Sequence, residues 1–72
     1  MTLDKGKLNH IYTIHRINND GETRKRLLDM GFTVGTKIKI IKIAPLHDPI
    51  EVSLRGYNIS IRREDCKNII VS

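Results

Sequence analysis

The sequence predicts a mostly β domain: about five short strands curled into a small, partly closed barrel, with one helix inserted after the first strand. Three observations carry that prediction. Twelve Ile and three Val in 72 residues favour extended backbone. Alternation of apolar and polar residues recurs in short runs separated by Gly and Pro. Only one segment, near residues 20–30, repeats apolar side chains at helical spacing. Five short strands in so small a chain limit their exposed edges best by curling into a barrel.

Taken in order, "HIYTIHRI" (10–17) supplies the first strand. The helix follows, with Asn19 expected as N-cap and Glu22 three residues on completing a capping box. Thr23, Leu27 and Met30 share one face with Leu28 beside them, while Lys25 and Asp29 point away. Gly31 supplies the left-handed C′ position, and Phe32 folds back behind it. "TVGT" (33–36) reads as a type II turn with Gly35 where φ must be positive. In "TKIKIIKIA" the alternation breaks at Ile41 and resumes shifted by one, which predicts a β-bulge near Ile40–Ile41. A loop framed by Pro45 and Pro49 leads into "IEVSLR" and "NISIR", which alternate cleanly. Gly56–Tyr57 between them fits a two-residue II′ turn, pairing Leu54 with Ile59 and Glu51 with Arg62. Arg63–Cys66 reads as a short helical turn before the last strand, "KNIIVS" (67–72).

The bulk numbers narrow the function. Seventy-two residues make at most one domain, 1–72, which buries only about 60% of its unfolded surface. A single cysteine, Cys66, forms no internal disulfide and suits a reducing cytosol. "MTLDKGKLNH" has no apolar run of signal-peptide length and no stretch is long enough to cross a bilayer, so the expected location is cytoplasmic. Thirteen Lys and Arg against eight Asp and Glu give a net charge of +5. That balance suits an anionic partner: nucleic acid, an acidic protein surface or anionic lipid. The cations are scattered, and the longest run, "RKR" at 24–26, wraps around the helix.

Catalytic and metal chemistry find little support. His10 and His15 are five apart on a strand and so face opposite ways. His47 and Asp48 are adjacent in a loop without further ligands, and Cys66 has no CxxC partner. No phosphate loop, GxSxG elbow or HExxH pair is present, so neither a catalytic residue, a metal site nor a cofactor is assigned. Asp48 is expected to cap the amides of its own loop. Of the three aromatics, Phe32 belongs to the helix cap and Tyr12 to a strand, leaving Tyr57 as the one candidate for stacking a base. The two prolines of the Pro45–Pro49 loop lower the entropy cost of ordering it, so Leu46, His47 and Asp48 are presented nearly preformed.

"RLLDMGFTVGTKIKI…APLHDPIEVSLRGYNISIRRED" resembles the ferrous iron transport protein A (FeoA) family. The resemblance runs over residues 22–65 through three linked motifs: RLL-x-x-G-x-x-x-G, APL-x-DP and RGY-x-x-S-x-R. It implies an SH3-like barrel with a helix after the first strand. It also implies a small cytosolic accessory of ferrous iron uptake, partnered by the cytoplasmic GTP-binding part of the membrane transporter FeoB. Carried over by position, Leu27, Leu28 and Gly31 pack the helix and Gly35 is the turn glycine. Ala44, Pro45, Leu46, Asp48 and Pro49 form the loop; Arg55, Gly56, Tyr57, Ser60 and Arg62 form the hairpin. Two positions depart from the pattern. Val34 replaces the usual Pro before the turn glycine, and His47 replaces the Gly of APLGDP, which restricts the backbone there. The barrel is similar, too, to the C-terminal domain of iron-dependent repressors, but no helix-turn-helix precedes it in this sequence.

The expectation is therefore a non-enzymatic adaptor that docks through the Pro45–Pro49 loop, the Arg55–Gly56–Tyr57 tip with Arg62, and the first half of the helix at Arg24. Two alternatives stand beside it. One is a nucleic-acid-binding barrel using Arg55, Tyr57, Arg62 and the outward lysines. The other is a metal-responsive domain using His47 and Asp48. Free strand edges leave room for weak self-association.

Overall fold

In a computed structural model that describes all residues 1–72, five strands form one antiparallel sheet. They are β1 (Ile11–Ile17), β2 (Lys37–Ile43), β3 (Ile50–Leu54), β4 (Tyr57–Ile61) and β5 (Ile69–Val71). The order across the sheet is β4-β3-β2-β1-β5, and β4 and β5 are not bonded to each other. The sheet therefore curls without closing. Helix α1 (Glu22–Asp29) fills the connection from β1 to β2, and a short helix α2 (Arg63–Cys66) joins β4 to β5.

One core of fourteen buried residues lies inside the curl. β2 and β3 contribute Ile38, Ile40, Ile50, Val52 and Leu54 at alternate positions, as a half-buried strand must. From α1 comes Leu27, fully buried, with Leu28 and Met30 packed against the cluster. The C-terminus of α1 is a Schellman motif: the Phe32 amide donates to Leu27 O at 3.0 Å and the Gly31 amide to Leu28 O at 3.0 Å. Gly31 takes φ +102°, and both Leu27 and Phe32 are buried, completing the hydrophobic contact that accompanies this cap. The next turn is also as expected. The Thr36 amide donates to Thr33 O at 3.1 Å around Gly35, whose φ of 88° fits the third position of a type II turn. Ile41 is the extra residue of a β-bulge, between the pairs Ile40–Val52 and Lys42–Glu51.

Two local expectations are corrected, and one segment gains a role. Asn19 is not the N-cap: α1 begins after Gly21, and no capping side chain bonds its first turn. Instead Asn19 Oδ1 accepts from the Gly21 amide at 2.9 Å, so this side chain closes a turn on its own backbone before the helix starts. The β3–β4 turn is Arg55–Gly56 rather than Gly56–Tyr57. Both residues have positive φ, 50° and 84°, which makes it a type I′ turn. Leu54 consequently pairs with Tyr57, Val52 with Ile59, and Glu51 with Ser60 rather than Arg62. The N-terminal residues, given no role from sequence, form a 3₁₀ turn at Leu3–Lys5 that buries Leu3 completely. Thr2 bridges Ile70, and the Val71 amide donates to Met1 O at 2.8 Å, so these residues cover part of the outer edge of β5.

Candidate functional site

β3 separates the two groups of residues that sequence motifs mark as a surface. The Pro45–Pro49 loop precedes it and the Arg55–Gly56 turn follows it. At about 3.3 Å per residue its five residues span roughly 17 Å. The structure does not bring the loop and the tip together; it sets them at opposite ends of one strand.

At the tip end, polar groups are spent on the fold. Arg55 has left-handed backbone, and its guanidinium reaches the connection between α1 and β2. Nη2 donates to Thr33 Oγ1 at 2.6 Å and to Thr36 Oγ1 at 3.0 Å, while Nε donates to Gly31 O at 3.4 Å. The Tyr57 hydroxyl donates to Met30 O, the last carbonyl region of α1. A Cβ on Gly31 would stand 2.8 Å from that hydroxyl, so a larger residue is opposed first by the positive φ and then by the shift it would force on Tyr57. The helix-cap motif and the RGY motif thus form one clamp. Arg62 and Arg24 are exposed and make no ion pair.

The loop end is built differently. The His47 amide donates to Ala44 O at 2.9 Å around Pro45 and Leu46, a type II turn with Pro at its second position. Leu46 then occupies the third position with φ 69°, normally a glycine site, and is 94% exposed. His47 also has positive φ, 65°, where the family pattern has Gly. The Asp48–Pro49 peptide is cis. What holds this loop is Arg63, a residue sequence reasoning did not single out. Its amide donates to Asp48 Oδ1 at 3.0 Å, Nη1 to His47 O at 3.3 Å, and Nη2 to Asp4 O at 3.0 Å. Asp48 therefore caps the first amide of α2 rather than the amides of its own loop, because the bend at Leu46–His47 turns its carboxylate towards that helix. No pattern in the sequence distinguishes Arg63 from its neighbour Arg62; only the tertiary meeting of the loop, α2 and the N-terminal turn does.

The remaining candidates have ordinary surroundings. No group of three or more His, Cys, Asp or Glu side chains converges as metal ligands. His15 Nε2 lies 2.8 Å from Ser72 Oγ, and His10 sits beside the Tyr12 ring at 6.2 Å between centroids. Cys66 is fully buried; burial first, then the nearby carboxylates of Asp4 and Asp65, push its thiol up to about 12. A thiol so rarely ionised is a poor nucleophile. Asp65 is buried too and takes a two-pronged bond from Arg26 at 3.0 and 3.3 Å, tying α1 to α2. No helix is long and apolar enough to cross a membrane.

Comparison with known proteins agrees with this architecture. The FeoA domain family matches residues 1–72. The Fe(2+) transport protein A/Fe(2+) transporter FeoB fusion protein of Porphyromonas gingivalis is 45% identical over 58 residues, 81% of this chain and 7% of that protein. This chain thus spans only a small part of that relative's length. The solution structure of a FeoA-like protein from Clostridium acetobutylicum superposes with a TM-score of 0.94 at 33% identity, over 100% of this chain and 84% of the other. FeoA of Stenotrophomonas maltophilia, crystallised with zinc and described as an SH3 domain protein, shares the fold alone. Its TM-score is 0.88 at 20% identity, over 100% of this chain and 89% of that one. The sheet seen here is that SH3-like fold, and the chain belongs to the FeoA family of ferrous iron transport.

Proposed function

We propose that this protein is a cytoplasmic, non-enzymatic adaptor that docks on the GTP-binding domain of a FeoB-type ferrous iron transporter and modulates transport. The observation that carries this reading is Leu46. A large apolar side chain, 94% exposed, is held in a backbone conformation that costs a non-glycine residue about 1–2 kcal/mol. Strain of this kind at an ordered, solvent-facing position points to a binding role rather than to packing. The loop is preformed by Pro45, by the Ala44–His47 turn and by Arg63, so little ordering entropy opposes association. The P. gingivalis relative, which joins the two components in one chain, supports association with FeoB. Covalent linkage of this kind raises the effective concentration of a weakly bound module.

The nucleic-acid reading is less well supported, since the Tyr57 hydroxyl is occupied by Met30 O and Tyr57 is the one exposed Phe or Tyr of the chain, too few for a stacking platform. The test is the affinity of the full chain for the isolated cytoplasmic domain of the transporter, by calorimetry. Leu46→Asp should weaken it by more than about 1 kcal/mol, the cost of losing an interface anchor. Unchanged affinity in a folded Leu46→Asp protein would remove the loop from the interface.

A further inference from the structure

The outer face of β1, β2 and β3 carries a feature that neither the loop nor the tip clamp explains. Cross-strand register sets Ile11 beside Lys39 and Lys39 beside Ser53, with Thr13 beside Lys37 in the next row. The Lys37 ammonium donates to Thr13 Oγ1 at 2.7 Å, which holds it over the sheet. Two adjoining hollows, of about 430 and 190 Å³, share Lys37 and Arg55 as lining residues. Val34 lines the larger and Ile11 the smaller; they are 69% and 67% exposed. Lys37, Lys39 and Arg55 are paired with no carboxylate, since the ion pairs of the chain join Arg26 to Asp65 and Lys67 to Glu64. Glu51, the acidic residue of β3, lies beyond the hollows, opposite Lys42 and Ser60.

We propose that this face is a docking surface for an extended, acidic segment of a partner protein that also carries an aliphatic side chain. Lys37 and Lys39 project from the same face of β2, two residues apart, so their stems stand roughly 6.6 Å apart along the strand. Alternate residues of an extended partner segment repeat at that same spacing, so two carboxylates on one side of it meet both lysines. Arg55 keeps Nη1 uncommitted, because its bonds to Gly31, Thr33 and Thr36 leave from Nε and Nη2. It offers a further donor at the end of the row. The exposed Val34 and Ile11 match an aliphatic side chain, and no aromatic lines either hollow, which removes the stacking platform that single-stranded nucleic acid needs. Leu46 lies at the far end of β3 from Arg55, so this inference does not depend on the loop and adds a second surface to the protein.

The experiment is an amide chemical-shift titration of the full chain with an acetylated octapeptide of alternating glutamates and one central leucine. At about 20 mM salt the shifts should concentrate at residues 34–39 and 53–55, and affinity should fall severalfold at about 150 mM. Lys37→Gln with Lys39→Gln should weaken binding roughly tenfold while leaving the spectrum dispersed. Leu46→Asp should bind the peptide as the wild type does, whatever its effect on the transporter domain. Replacing the peptide's leucine by alanine should weaken binding at both salt concentrations. Absence of shifts at low salt overturns the proposal. So do shifts spread over Arg24, Lys25 and Lys67, or equal binding of an oligothymidylate of the same length at the same amides.

Discussion

At the Arg55 end of β3, side chains reach inward and bond the chain's own helix cap; at the Pro49 end, the same kinds of bond hold an apolar side chain out in solvent. Arg55 and Tyr57 satisfy groups of Gly31, Met30, Thr33 and Thr36, so the tip's motif residues close the fold. Arg63 instead bonds His47 O through its guanidinium and Asp48 Oδ1 through its amide, so it fixes a loop whose apolar residue, Leu46, is 94% exposed. Hydrogen-bonding side chains therefore do two different things in one small sheet. One end is a clamp; the other is a braced loop with its apolar side chain in solvent. Substitutions at the two ends should separate stability from association.

The largest effect belongs to the clamp. Gly31→Ala imposes a left-handed alanine and pushes a methyl to within 2.8 Å of the Tyr57 hydroxyl. The expected loss is about 2–3 kcal/mol in urea unfolding, strain and crowding together. Removing that hydroxyl with Tyr57→Phe in the same chain should recover part of it, giving a coupling of about 0.5–1 kcal/mol between the two sites. Additive effects would mean that the hydroxyl is not what limits Gly31, and the clamp would reduce to the turn alone.

A matched pair of arginine substitutions compares the two ends directly. Arg55→Ala removes three hydrogen bonds and Arg63→Ala two, and each should cost about 1–2 kcal/mol, because the groups they leave behind are partly open to water. The Arg63 amide bond to Asp48 survives its own truncation, so that loss sits at the lower end of the range. Their consequences should then diverge. Arg63→Ala should speed amide exchange at residues 44–49 and weaken binding to the transporter domain; Arg55→Ala should leave both unchanged. Arg55→Lys should behave like Arg55→Ala, since one ammonium cannot reach Thr33, Thr36 and Gly31 in the fixed geometry of a guanidinium.

How far the sequence foretold these ends follows from the kind of signal each residue carries. The Gly31–Phe32 cap, the Gly35 turn and the Ile41 bulge were legible because each rests on a local rule: a φ only glycine takes freely, or a break in parity. The hairpin register was not. Pairing Leu54 with Tyr57 instead of Ile59 moves the partners by two residues, so every inward side chain stays inward and hydrophobic alternation cannot tell the two apart. The decision falls to Arg55, whose left-handed backbone is compensated by bonds to residues 19 to 24 positions away. Leu3 and Arg63 were missed for the same reason. Their roles exist only where the N-terminal turn, the loop and α2 meet, and no periodicity records that meeting.

The smallest predicted effect tests whether strain in the loop is stored for binding. His47 has φ 65° and donates no side-chain hydrogen bond, so the left-handed cost of about 1–2 kcal/mol is not offset locally. Glycine removes that cost but adds about 0.4–1 kcal/mol of backbone freedom to the unfolded chain. His47→Gly should therefore stabilise the protein by about 0.5–1 kcal/mol while leaving the Arg63 bond to its carbonyl in place. If the loop serves only to connect β2 to β3, the variant is simply more stable. If Leu46 is an anchor, its presentation depends on the backbone that His47 restricts. A glycine there should then weaken transporter binding by a few tenths of a kcal/mol even as thermal stability rises. Opposite signs in unfolding and in association, from one exposed substitution, would be hard to produce by any loop that is merely structural.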